Sequence, residues 1–248
     1  VTGALLGVAV SEFAAAAYLV ITYLVRTRKS GLPKETLRLN AAERHAMFRT
    51  AAPIALLGII LPLVAFFDSM IVVNALKWGG ADTASATAQY GLYSGPVTSL
   101  MNLPVVAVMS LAIAVVPSVS VSRSERDIGG ILFKSRMSVK LVWLLGVPAA
   151  LFLMVFGRNV LAVLYPTLSA YELWQTARLM SVAAFGVVLT GGTQIYVSLL
   201  QALDKTNSAI KSLFCAVILK VVLSLVLVRY IGIMGAAIAG VGMSALSL

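Results

Sequence analysis

Acidic residues are scarce in this chain: nine Asp and Glu stand against 19 Lys and Arg in 248 positions. Charge of either sign is also low, at 11%, where a soluble domain carries about 25%. Together with 60% hydrophobic residues and a mean hydropathy of +0.98, that deficit excludes an ordinary soluble domain and predicts an integral membrane protein. A single cysteine, Cys215, excludes an internal disulfide. It sits in an apolar stretch and is expected to be a small buried hydrophobe. The single histidine, His45, lies in a polar segment without cysteines or clustered carboxylates, so no metal site is expected. Sustained period-2 alternation is missing, which argues against a membrane β-barrel. Also missing are G-x-S-x-G, a Walker loop, H-E-x-x-H and C-x-x-C, so neither an enzyme nor a cofactor site is expected. The first apolar stretch has no charged n-region and no cleavage site, so it does not read as a signal peptide. The chain starts on Val and stops inside the apolar "MSALSL", and is expected to be a fragment of a longer protein.

Long apolar runs are what the sequence has in abundance. A helix needs about 20 such residues to cross the hydrocarbon core. Seven candidate spans follow, at roughly 3–25, 51–76, 90–117, 139–164, 177–201, 212–229 and 231–248. The last two are separated only around "RYIGIMG", which suits a tight turn. Basic residues alternate between the connections. Segment 26–50 holds Arg26, Arg28, Lys29, Lys34, Arg38, Arg44 and Arg49; segment 118–138 holds Arg123, Arg126, Lys134 and Arg136; segment 202–211 holds Lys205 and Lys211. The other side has Lys77, Arg158 and Arg229. The positive-inside rule therefore makes 26–50, 118–138 and 202–211 cytoplasmic loops of a multi-pass protein of the cell membrane. Topology and anionic membrane lipid account for the net charge of +10, leaving no role for nucleic acid.

Segment 26–50 is the longest polar stretch and the expected domain boundary. Within it, "LNAAERHAMFR" is predicted as a short amphipathic surface helix. Pro53, Pro62, Pro104, Pro117 and Pro148 fall inside spans and are expected to kink them. The pairs Gly3/Gly7 and Gly91/Gly95 have G-x-x-x-G spacing and predict close helix packing.

Polar residues at membrane depth are the candidate functional residues. Asp68, in "LPLVAFFDSMIVVNAL", lies eight residues before Leu76, about 12 Å deep. Lys220, in "FCAVILKVVLSLVLV", lies at similar depth with opposite charge. Each costs at least about 3 kcal/mol to place there unless paired, neutralised or hydrated. Two arrangements answer that cost: a direct or water-bridged pair, or separate positions facing a watery cavity. Glu12 is at midspan depth in the first run. Asn102, Gln194 and Gln201 are neutral and suit either interhelical hydrogen bonding or a ligand. Asn74 does not share a helix face with Asp68.

From "YGLYSGPVTSLMNLPVVAVMSLAIAVVPSVSVSRSERD" the chain resembles the polysaccharide and lipid-linked oligosaccharide flippases of the MOP exporter superfamily, in the stage V sporulation protein B-like and lipid II flippase-like branch. Tyr90-Gly91, Leu103-Pro104, Val116-Pro117 with Ser118 and Ser120, "FFDS", "LLQALDKTNSAIKS", Lys220 and "GIMGAAIAG" carry the likeness in order. The stretch "PVTSLMNLP" has no Lys or Arg, where lipid II flippases place a basic residue, so the likeness leans to the sporulation-protein or polysaccharide side. The resemblance implies two six-helix lobes around a central cavity. Residues 1–25 would be the last helix of the first lobe, 26–50 the inter-lobe loop, and 51–248 the second lobe, with the rest of the first lobe as a missing partner. It also implies a lipid-linked glycan substrate moved by alternating access, driven by the membrane potential or coupled to H+ or Na+. Asp68 would then bind the ion and Lys220 the pyrophosphate. A cation-coupled multidrug exporter and a non-transport scaffold for cell-wall synthesis are the competing readings.

Overall fold

A computed structural model describes residues 2–29 and 40–248 of the chain. Among the described residues there are eight α-helices and no strand. They are α1 (Thr2–Lys29), α2 (Ala41–Trp78), α3 (Thr83–Leu92), α4 (Thr98–Ser124), α5 (Ile128–Leu164), α6 (Ala170–Ala202), α7 (Thr206–Ile231) and α8 (Ile233–Ser247). Five segments are long and apolar enough to cross a membrane: Ala51–Trp78, Thr83–Ser124, Ile128–Leu164, Ala170–Ala202 and Thr206–Ile231. Phe13–Tyr23 and Ile233–Ser247 are shorter apolar helices. In lipid the backbone must satisfy its own hydrogen bonds, and helices of this length do so. The chain is an all-α, multi-pass membrane protein. Of the other two expected spans, 3–25 falls within the 28-residue α1 and 231–248 on the 15-residue α8.

The chain divides into two compact units, residues 1–51 and 52–248. In the first, α1 exposes Phe13 and Leu19 around its apolar stretch. The expected surface helix is the start of α2, which runs unbroken from Ala41 to Trp78. Segment 26–50 is therefore not one loop: α1 reaches Lys29 and α2 begins at Ala41, while Lys34 and Arg38 lie outside the described residues.

The second unit also shortens the expected loops. Segment 118–138 reduces to a turn at 125–127, and 202–211 to a turn at 203–205. Helices continue past the bilayer edge because Lys, Arg, Leu and Met keep good helix propensity in water. The two turns share one end of the unit. Arg123 pairs with Asp204 at 3.6 Å, and the Ser120 hydroxyl donates to the Ala202 carbonyl at 3.4 Å. Lys134 of α5 donates to the Ser118 carbonyl at 2.8 Å and the Ser122 hydroxyl at 2.7 Å. That places a cation on the negative C-terminal end of α4. Three of the nine acids serve helix N-termini. Asp82 caps α3, Asp127 caps α5, and Ser169 with Glu172 forms a capping box on α6.

The five prolines expected to kink helices lie inside helices that continue through them. A departure from α-helical hydrogen bonding falls at Pro96, in a π-helical turn, Tyr93–Val97, between α3 and α4. Pro96 has no N–H to give the preceding turn. The backbone widens there, and the Tyr93 carbonyl accepts from both the N–H and the hydroxyl of Thr98, the latter at 2.9 Å.

Helix α6 is central. Leu179, Met180, Val187 and Ile195 are fully buried, packed in clusters with α4 and α5. Gly157 of α5 lies against Met180, and Gly191 of α6 against Val108 and Val142. Small residues let membrane helices gain dispersion contact where no hydrophobic force separates protein from lipid. The expected packing at Gly91 and Gly95 is not found, since a Cβ at either would meet nothing within 4 Å. The tightest approach to backbone is at Gly235, where a Cβ would stand 2.4 Å from the Leu227 carbonyl carbon. The α7–α8 turn is made by Gly232 at φ 66°, a conformation that disfavours a side chain.

Candidate functional site

Helices α2 and α7 lie side by side and run in the same direction. Leu57 packs with Ala209 and Leu213, and Val64 packs with Ala216. A Cβ at Gly79 would sit 3.1 Å from the Arg229 carbonyl. In α7 the buried positions are Ala209, Leu213, Ala216, Lys220, Ser224 and Val228. Their spacing of three and four marks one helix face, and Lys220 is in the middle of it. In α2, Leu57, Val64, Asp68, Val72 and Leu76 are buried at the same kind of spacing. The register brings the two charges level.

Lys220 donates through Nζ to Asp68 Oδ2. Both residues are 9% exposed, so the pair is nearly dry. Of the two arrangements open from sequence, the direct pair is the one found. A partner of opposite charge offsets part of the desolvation of both groups, while loss of either leaves the other uncompensated. Around the pair, Tyr90 and Tyr93 lie within electrostatic range of the Asp68 carboxylate. The Tyr93 hydroxyl oxygen is 3.2 Å from where a Cβ at Gly240 of α8 would be. One turn beyond Lys220, the Ser224 hydroxyl is buried and makes no hydrogen bond among the described residues.

The other candidates are not brought to this pair by any hydrogen bond. Asn102 is exposed on α4. Gln194 and Gln201 are half-buried on α6, seven residues apart and so on one face. The Glu12 side chain lies outside the described residues. Two other residues read differently from expectation or in detail. Cys215 is exposed rather than buried, because it precedes Ala216 by one position and so points about 100° away from the buried face of α7. His45 is exposed on α2.

Sequence reasoning placed Asp68 and Lys220 by depth but not by direction. The signal was present: Ala209, Ala216 and Ser224 form a small-residue stripe at helical spacing, and Lys220 belongs to it. It also missed Ser224 and the two tyrosines, whose positions depend on the α2–α7 register and the π-turn. A second polar knot was missed as well. The Thr190 and Ser244 hydroxyls are 3.0 Å apart, and those of Thr193 and Ser247 are 2.8 Å apart, tying α6 to α8.

A charge pair buried in a helical membrane unit is a candidate functional site, and comparison with known proteins places the chain in a family. The chain belongs to the family described as Lipid II flippase MurJ, whose profile it matches over residues 2–248. It is also 26% identical over 243 residues to Stage V sporulation protein B of Bacillus subtilis (strain 168), covering 96% of this chain and 45% of that protein. The chain therefore spans less than half the length of that relative. No solved structure matches it significantly.

Proposed function

We propose that the chain is part of a transporter that flips undecaprenyl-linked cell-wall or polysaccharide precursors across the cytoplasmic membrane by alternating access. In this reading α1 closes a first lobe, 26–50 joins the lobes, and 51–248 forms the second lobe. The family supports the reading, and the buried Asp68–Lys220 pair carries it. A charge pair at mid-membrane is often less stable than apolar residues of the same size, so its presence there points to a use. Bolting α2 to α7, it is an ionic contact that a lipid pyrophosphate can break by drawing Lys220 away, or that H+ or Na+ can break by neutralising Asp68. Asn102, Gln194 and Gln201 are proposed to contact the sugar head.

The test is flipping of a fluorescent undecaprenyl-pyrophosphate sugar in inverted vesicles holding the full-length protein. Wild type is compared with Asp68→Asn, Lys220→Met and the apolar double variant Asp68→Leu/Lys220→Met, each checked for insertion. Flipping by the wild type and its loss in the folded double variant are expected. A wild type that moves organic cations and no lipid-linked sugar makes the protein an exporter of another cargo. Full activity in the double variant removes the pair from the mechanism.

A further inference from the structure

We propose that the π-turn Tyr93–Val97 is a hinge on which α3 swings against α4 when the Asp68–Lys220 contact opens, with Tyr93 as the link between them. It rests on the reading of that pair as the moving contact of the transporter. Depth brings the two features together. Asp68 lies ten residues before Trp78, where α2 ends, and Tyr93 lies eleven after Asp82, which caps α3. Only residues 79–82 separate the two helices, so Asp68 and Tyr93 both sit about 15 Å from the same end of the unit. Backbone that departs from the α-helix at such depth must be satisfied inside the protein, and π-turns within helices are frequent at functional sites.

The turn changes pitch by exchanging hydrogen bonds rather than losing them. The Tyr93 N–H is shared between the carbonyls of Gln89 and Tyr90, and the Thr98 N–H between those of Tyr93 and Gly95. A shared donor keeps one acceptor or the other as the helix tightens or widens. Pro96 has no N–H to fix the turn. Gly91 and Gly95 have no Cβ to restrict the backbone, and the space beside each is open.

The two sides of the turn are held unequally. On the α4 side, Val97 and Leu100 are buried in one core with Leu179 and Val187 of α6. On the α3 side, Ala86 is the only buried residue from Thr83 to Leu92. Helix α4 is thus the fixed side and α3 the arm. Tyr93 belongs to both the turn and the charge pair's surroundings. It is the first residue of the π-turn. Its hydroxyl reaches Gly240 of α8, and the Asp68 carboxylate acts on it electrostatically. Freeing or neutralising Asp68 changes the field on a side chain whose own backbone is the hinge. An element with two arrangements, biased from the pair, is what coupling between the two requires.

The experiment measures the distance between spin labels on α3 and α5 of the full-length protein in lipid nanodiscs, with Cys215→Ser and any other cysteine replaced. The labels go on Ala84→Cys and Val163→Cys, both exposed positions. Ala84 is nine residues from Tyr93, so a kink of about 20° at the turn moves it by about 5 Å. Asp68→Asn and Asp68→Leu/Lys220→Met are each expected to shift or broaden the wild-type distance by about that amount. Gly91→Ala/Gly95→Ala/Pro96→Ala favours a continuous helix, and is expected to hold the wild-type distance when Asp68→Asn is added. With Tyr93→Leu in place, adding Asp68→Asn is expected to change nothing further. Monodispersity on gel filtration checks the fold of each variant. An unmoved distance in both pair variants overturns the proposal. So does a full shift in the stiffened protein or in the Tyr93→Leu background. These distances need no substrate, so they judge the hinge separately from the cargo. Full flipping of lipid-linked sugar by the stiffened protein overturns the hinge's part in transport and leaves the pair to its own test.

Discussion

Lys220 is a lysine with little water around it, and its long stem would let it climb towards an interface if nothing held it. Its Nζ stays at mid-depth because Asp68 meets it there. Lys220→Met should therefore lower stability by about 3–5 kcal/mol, since it leaves a buried carboxylate alone. Asp68→Leu/Lys220→Met should recover most of that loss. Denaturant unfolding in detergent measures both; a single variant no worse than the double one would mean that the charges do not depend on each other. Ser224 offers a second case. Its hydroxyl is buried without a partner among the described residues, so Ser224→Ala should leave stability unchanged or raise it by about 1 kcal/mol. A clear fall in the unfolding midpoint would instead place a hydrogen-bonding ligand or water at that hydroxyl. From sequence the scarcity of charge was enough to single out Asp68 and Lys220, but not to aim them. Cys215 shows why. Depth follows from counting along the chain, whereas facing depends on which neighbour a helix chooses, and one residue's error turns a side chain by about 100°.

At the scale of elements, glycines separate packing from opportunity. At Gly235 a Cβ would meet the Leu227 and Val228 backbone at 2.4–2.5 Å, and backbone cannot step aside as a side-chain end can. Gly235→Ala should cost about 1–3 kcal/mol and loosen the α7–α8 hairpin. Gly91 has open space in the same sense, so Gly91→Ala should gain about 0.5–1 kcal/mol through helix propensity. Thermal unfolding of the two variants side by side checks the contrast, and equal effects would refute it. The G-x-x-x-G spacing at Gly91 and Gly95 was legible but pointed to packing that the described residues do not make. Prolines also differ in what they do to the hydrogen-bonding pattern. Pro53, Pro62, Pro104, Pro117 and Pro148 sit where helices carry on, whereas Pro96 coincides with a turn whose freed carbonyl groups find Thr98.

For the whole molecule, the alternating basic ends remain the most direct guide to orientation. The turns at 125–127 and 203–205 share an end, joined by Arg123 and Asp204. By the positive-inside rule we propose that this end faces the cytoplasm. In a Cys215→Ser background of the full-length protein, Thr167→Cys should react with an impermeant maleimide on intact cells. Glu125→Cys should react only after the membrane is opened. The reverse pattern would invert the topology and with it the direction of the proposed transport.

The sequence by itself determined the solvent, the fold class and the order of helices, because apolar run length and the placement of Lys and Arg are one-dimensional quantities read against a bilayer of known thickness. It also determined which charges sit at depth. Only the tertiary structure decided that Asp68 and Lys220 meet rather than face a cavity separately. That outcome rests on the register of α2 against α7, set by Leu57, Val64, Ala209 and Ala216 as they pack. Such a register is a sum of many small contacts between residues more than 140 positions apart. No local spacing in the chain contains it.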